Sequence, residues 1–137
     1  MVSKIFLSTL LLAIGLTDSS AFAKCRCEYF HTRENALKEA DKVFLGEAIS
    51  ETKQPDGQNY RIVYFAVERA WKGVTGLKAG IKVGVDPACG YAFVLNKTYL
   101  VFSSEKSPHY TSGCGFTKWI GDAANDIKAL GASTPLK

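Results

Sequence analysis

Four cysteines constrain this chain more than any other feature. Cys25 and Cys27 stand one residue apart, while Cys89 and Cys114 stand alone far downstream. In an exported chain an even set of this kind forms disulfides. A bridge between Cys25 and Cys27 is strained, because side chains two apart on an extended segment cannot meet with relaxed geometry when one residue intervenes. Two pairings remain: Cys25–Cys89 with Cys27–Cys114, or the crossed alternative. Either one staples the Cys25-Arg26-Cys27 tripeptide to two distant parts of the chain. Closing loops of this size contributes roughly 4 kcal/mol each in the chain-entropy picture. A four-cysteine zinc site normally shows C-x-x-C pairs, which are absent here. A redox-active site normally shows C-x-x-C ahead of a helix, also absent.

The start of the sequence predicts export. Lys4 precedes an apolar run from Ile5 to Leu16, and a polar stretch follows that ends in Ala21-Phe22-Ala23. A basic start, a short apolar core and an A-x-A site make a secretory signal peptide. The run is too short to span a bilayer, which takes about 20 residues. Lys24 occupies the position before Cys25 where a lipoprotein needs a small residue. Residues 1–23 are thus expected to be a signal peptide and 24–137 a single domain. The product is expected to be secreted or periplasmic, with no membrane anchor.

Composition narrows the class further. The 137 residues include 17 Lys+Arg and 13 Asp+Glu, a formal charge of +4, and are 47% hydrophobic. That is ordinary for a globular chain and excludes disordered or collagen-like classes. The mild positive charge demands no acidic partner and is weak support for nucleic acid.

Along the chain, Thr32-Arg33-Glu34 predicts a helix start with Thr32 as N-cap, and Ala36, Leu37 and Ala40 give an apolar side ending near Asp41. Val43 to Thr52 reads as a strand, closed by Lys53-Gln54-Pro55-Asp56-Gly57, where Pro presets φ and Gly accepts positive φ. Tyr60 to Trp71 is β-branched and aromatic, with Val63, Phe65, Val67 and Trp71 expected on one face of a hairpin partner. Ile81, Val83 and Val85 alternate with polar positions, and Thr98 to Phe102 forms another strand. Ile120, Ala123, Ala124, Ile127 and Leu130 recur at helical spacing, with Gly131 as the stop. Helix, four or five strands, helix implies a mainly β fold with flanking helices. Its expected form is a small antiparallel sheet closing into a barrel. Trp71 and Trp119 are expected to be packing residues.

Several of these residues resemble a known family. Cys25-Arg26-Cys27, then Ala40-Asp41-Lys42-Val43-Phe44-Leu45-Gly46, then Trp71-Lys72-Gly73, Cys89-Gly90, Tyr99-Leu100-Val101 and Cys114 look like the netrin-like domain. In particular they look like the N-terminal domain of tissue inhibitors of metalloproteinases. The resemblance covers nearly all of residues 24–137. It implies a five-stranded, OB-like antiparallel barrel stapled by Cys25–Cys89 and Cys27–Cys114. It also implies metalloprotease inhibition through an N-terminal ridge made of Cys25, Arg26, Cys27, Pro87, Ala88 and Cys89. In that family the amine and carbonyl of the first cysteine chelate the protease's zinc, and the next residue enters its specificity pocket. Here the nitrogen of Cys25 is an amide while Lys24 is present, so contact with the zinc requires removal of Lys24. The family's additional bridge and second domain are missing.

Other function classes leave weaker marks. A netrin-like interaction module without protease inhibition needs only the fold, with contacts around Lys72, Lys78 and Lys82. An enzyme is not expected, since His31 and His109 are far apart in sequence and no nucleophile motif such as G-x-S-x-G is present. No intrinsic metal and no cofactor are expected. The partner is expected to be a protein, with a zinc metalloprotease the specific candidate. Tyr60, Tyr64 and Phe65 lie on a strand that OB-type folds use for oligonucleotides, but export speaks against a nucleic-acid partner. Asn96-Lys97-Thr98 is a glycosylation sequon.

Overall fold

The structure is a computed structural model and describes residues 32–106 and 111–137. The expected signal peptide and the Cys25-Arg26-Cys27 segment lie outside the described residues.

Thr32 starts the first helix as its sequence predicts. Its hydroxyl oxygen accepts a hydrogen bond from the Asn35 amide at 3.1 Å, capping α1 (Arg33–Glu39). At the other end the Lys72 ammonium donates to the carbonyls of Leu37 and Lys38, at 2.9 and 3.0 Å. Lys72 therefore clamps the C-terminal end of α1.

Five strands follow: β1 (Lys42–Glu51), β2 (Tyr60–Lys72), β3 (Lys78–Gly84), β4 (Thr98–Ser103) and β5 (Lys118–Trp119). A short 3-10 turn (Ile120–Asp122) leads into α2 (Ala124–Leu130), and Gly131 ends it. The sheet order is β3-β2-β1-β4-β5 and every ladder is antiparallel.

β1 and β4 are buried on both faces, so two cores form. On one face Phe44, Ala48, Val63, Phe65, Val67, Ile81, Val83, Phe93, Tyr99 and Val101 pack together. Phe65 meets Phe44 and Phe93 edge-on, with ring centroids 5.3 and 5.1 Å apart. On the other face Val43, Leu45, Leu100 and Phe102 pack under both helices, against Ala36, Ala40, Ala123, Ile127 and Leu130.

The expected barrel does not close; the sheet is open. Closure needs a ladder between β3 and the last strand, and β5 is only two residues long. The hydroxyl of Thr117, the residue before β5, bonds both the amide and the carbonyl of Phe102, at 2.9 and 3.1 Å. A side chain thus takes the place of a longer ladder. Among the described residues, the backbone link from β3 to the segment ahead of β5 is one parallel bridge, Val83 to Thr111. Side chains span the rest of the gap. Lys42 donates to the Gly80 carbonyl at 3.1 Å and to Glu105 at 3.2 Å, and Lys82 lies 3.9 Å from Glu105. These residues, with Ile62, Tyr64 and Ile81, line a groove of about 300 Å³.

Trp71 packs against the core, but on the face opposite to the one its spacing predicts, and Trp119 stays half-exposed. Leu45 pairs with Arg69 but Gly46 with Val67, which leaves Glu68 as an extra residue in β2. The bulge reverses the alternation. Ala70 enters the core face in place of Trp71, and Trp71 packs on the helix side, donating to the Gly131 carbonyl at 3.0 Å. Trp119 is 47% exposed, its ring lying against Gly121 and not in the core.

The helix side holds a buried carboxylate. Asp126 accepts from Arg33 of α1 at 2.7 Å and also from Lys118 of β5. Burial pushes its carboxyl up, but hydrogen bonds and charge from Lys118 and Arg33 outweigh that and hold it below the ordinary carboxylate value.

Candidate functional site

The ridge is built where β3 ends. Beyond Gly84 the chain turns through Asp86, Pro87 and Ala88, and Asp86 organises the turn. Its side chain accepts from the Ala88 amide at 2.8 Å, and its carbonyl accepts from the amides of Cys89 and Gly90, at 3.2 and 2.6 Å. This is the local bonding that makes Asp a turn residue. Gly90 has no substitute here, because a Cβ would overlap the carbonyl oxygens of Gly84 and Asp86.

A second loop lies alongside. Gly90 forms an antiparallel bridge with Ser112, and the Gly113 amide donates to the Cys89 carbonyl at 2.9 Å. Ser112 shapes its own loop by accepting from the amides of Cys114, at its hydroxyl, and Gly115, at its carbonyl. The loop is fastened to β3 by the Thr111 amide, which donates to the Lys82 carbonyl at 3.3 Å. Two cysteines 25 positions apart in sequence are thus brought onto adjoining, backbone-paired loops.

Neither Cys89 nor Cys114 is a free thiol, and both are oxidised. The pairing expected for them, Cys25–Cys89 and Cys27–Cys114, involves residues outside the described ones. Pro87 is exposed at the crest, with Ala88, Cys89 and Cys114 half-buried behind it. Of the sequence-predicted ridge residues the structure therefore places Pro87, Ala88 and Cys89 together. Cys25, Arg26 and Cys27 lie outside the described residues.

The segment after Gly90 ties the ridge to the aromatic core. Arg61 donates to the Tyr91 carbonyl at 3.0 Å while pairing with Glu51 at 3.1 Å. The Tyr91 ring packs on Phe93 and Tyr99, with centroids 4.6 and 5.9 Å away. Burial, then the neighbouring Tyr99 phenol and Asp122 carboxylate, raise the Tyr91 phenol above its usual value.

Residues suggested for other roles separate. Phe65 is fully buried while Tyr64 is exposed, so β2 offers no continuous aromatic platform. Lys82 lies over the Tyr60 ring at 4.7 Å and faces Glu105. His31 and His109 lie outside the described residues. Among those described, no group of three His, Cys, Asp or Glu side chains is arranged to hold a metal ion. Ser112, missed in the sequence, proves to be the residue that seats Cys114; a Ser two positions ahead of a Cys and one ahead of a Gly is its only local signal.

The chain matches no protein-family model and no curated protein. The netrin-like resemblance therefore rests on the residues quoted for it alone.

Proposed function

We propose that this chain is an exported, netrin-like protein-binding domain that inhibits a zinc metalloendopeptidase through a disulfide-held ridge. The ridge consists of Cys25, Arg26 and Cys27 with Pro87, Ala88 and Cys89. One observation carries the reading: the loops of Cys89 and Cys114 are hydrogen-bonded side by side, so a C-x-C segment bridged to both is drawn onto one edge. Five antiparallel strands with two helices on one face support the netrin-like assignment.

The chemistry follows from the zinc. A catalytic zinc keeps an open coordination position, and an uncharged α-amine with its lone pair can fill it. An amide nitrogen cannot. With Cys25 as the first residue, its amine and carbonyl reach the metal together, and Arg26 points into the adjoining pocket. A ridge fixed by two crosslinks loses little conformational entropy on binding. With Lys24 retained, the same ridge is a protein-interaction module without zinc ligation.

The test compares two oxidised forms, one beginning at Cys25 and one at Lys24, against a panel of zinc metalloendopeptidases that includes thermolysin. The form beginning at Cys25 is expected to inhibit, and acetylation of its amine or retention of Lys24 is expected to abolish inhibition. Absence of inhibition by the Cys25 form across the panel, or equal inhibition by both, overturns the reading. Peptide mapping without reduction should recover Cys25–Cys89 and Cys27–Cys114.

A further inference from the structure

β2 outruns the strand beside it. Its ladder with β3 ends at Ala66, opposite Lys78, yet β2 continues to Lys72. Past Ala66, the side of β2 turned away from β1 is met first by the Leu77 carbonyl, which accepts from the Val67 amide at 2.8 Å. Residues 132–137, which follow α2, take the rest. Thr134 forms an antiparallel bridge with Ala70 and donates to its carbonyl twice, from the amide at 2.6 Å and from the hydroxyl at 3.0 Å. The Lys137 amide donates to the Thr75 carbonyl at 2.6 Å, and Leu136 packs against the aromatic core.

This is strand addition within one chain. Main-chain hydrogen bonds give such a segment its affinity, and alternate side chains give it selectivity. The acceptors, the carbonyls of Ala70 and Thr75, can meet any extended peptide. Selectivity comes from the Thr134 hydroxyl and, two residues on, from Leu136; Pro135 between them has no N–H to satisfy. The attachment is slight. Ser133 and Leu136 are half-buried, while Ala132, Thr134, Pro135 and Lys137 are exposed. Gly131 joins the segment to α2 with φ 71, and Trp71 holds its carbonyl, so the segment hangs from a fixed pivot. Segments with few buried apolar contacts and exposed hydrogen bonds open at low free energy.

We propose that residues 132–137 are an exchangeable strap, and that their seat between Ala70 and Thr75 is a docking site for an extended peptide of a partner protein. That peptide carries a hydroxyl residue and, two positions on, an aliphatic one. The segment seated there now supplies the pattern. Tethered close by, it occupies the seat at a roughly millimolar effective concentration. It therefore excludes weak ligands and yields to a partner that makes the same bonds and further ones. None of the ridge residues takes part, so the seat is independent of protease inhibition.

Two measurements on the full oxidised chain test it. In native-state hydrogen exchange the Thr134 and Lys137 amides should exchange at least about a hundredfold faster than the Phe65 amide, as local opening requires. Leu136→Asp should then release the strap while the sheet stays folded. The end-blocked peptide Ala-Ser-Thr-Pro-Leu-Lys, followed by amide shifts at Ala70 and Thr75, should bind this variant with a Kd of about 1 mM. It should bind the wild type at least about tenfold more weakly, because the tethered strap competes. The same peptide with Asp in place of Leu should not bind. Exchange at Thr134 and Lys137 as slow as at Phe65 overturns the proposal, since strap and sheet then open together. So does a Leu136→Asp variant that unfolds, which makes the strap part of the frame. Absence of saturable binding to that variant by about 10 mM peptide, or equal binding to both proteins, overturns it too. A wild type that dimerises by swapping straps at about 1 mM assigns the seat to a second copy and overturns the partner.

Discussion

The two faces of the sheet are covered by different means. One face is closed by the chain's own aromatic rings, with Phe44, Phe65, Phe93 and Tyr99 meeting edge-on. The other is closed by two helices of seven residues each. Helices that short do not persist alone in water; they stay because their apolar sides dock and because Asp126 ties α1, α2 and β5 together. The aromatic face also continues directly into Tyr91 and the Cys89 loop, whereas the helix face does not. The difference implies that the aromatic face carries both global stability and the shape of the ridge, and that the helix face is an adjustable cover.

The largest expected effect breaks the aromatic face. Phe65→Ala removes a fully buried ring that touches Phe44 and Phe93. It should cost about 3–5 kcal/mol, the range for aromatic truncation in a core. Equilibrium denaturation measures this. Amide exchange at Cys89, Gly90 and Gly113 should accelerate in parallel, because Phe93 loses its support. Undisturbed exchange at these amides would show that the ridge stands apart from the aromatic core.

The second effect belongs to the helix face. Asp126→Ala leaves Arg33 and Lys118 without their shared carboxylate, but both side chains are about 30% exposed and can be rehydrated. The cost should therefore be about 1–3 kcal/mol, with ridge exchange unchanged. An equal loss from Phe65→Ala and Asp126→Ala would erase the distinction between the faces.

Acid sharpens the same point. The folded Asp126 carboxyl lies below its ordinary value, while in the unfolded chain it titrates near about 3.9. Its stabilisation is fully present above the unfolded value and disappears as pH falls through the folded one. The wild type should therefore lose stability below about pH 4 more steeply than Asp126→Asn does, read from denaturant midpoints across the acid range. Parallel acid limbs would remove Asp126 from the account.

Much of this architecture was legible in the residues, and the exceptions have physical causes. Thr32 announced α1 because capping is local chemistry, and the alternation around Ile81 and Val83 announced β3 because a half-buried strand has period two. Trp71 was placed on the wrong face, since the bulge at Glu68 reverses the period without leaving a composition signal. Trp119 looked like core because aromatics usually are; instead its ring lies against Gly121, two residues later, and stays half-exposed. Asp126 sits in α2 where a charged residue reads as solvent-facing, and the approach of Lys118 from β5 and Arg33 from α1 permits its burial. An open sheet replaced the expected barrel because β5 is only two residues long and forms its ladder with β4, leaving β3 at the other edge. For the candidate ridge, Pro87, Ala88 and Cys89 came from resemblance, while the pairing of Gly90 with Ser112 joins two loops that have no periodicity to read.

The smallest effect probes whether the cover is as adjustable as the comparison requires. Thr32→Ala removes the side-chain oxygen that accepts from the Asn35 amide, leaving that end of α1 to water. Water can reach it, since Thr32 and Asn35 are both exposed. The cost should be about 1 kcal/mol, the usual value of an N-cap. It should be confined to α1: faster exchange in the first turn, unchanged exchange at Phe65, Gly90 and Gly113. Arg33 follows the cap directly, so any fraying of the first turn also loosens its bond to Asp126. A loss well above about 2 kcal/mol would exceed what a cap supplies. It would mean that α1 and the Asp126 cluster melt with the sheet as one unit, and the helix face would then be part of the frame instead of a cover laid over it.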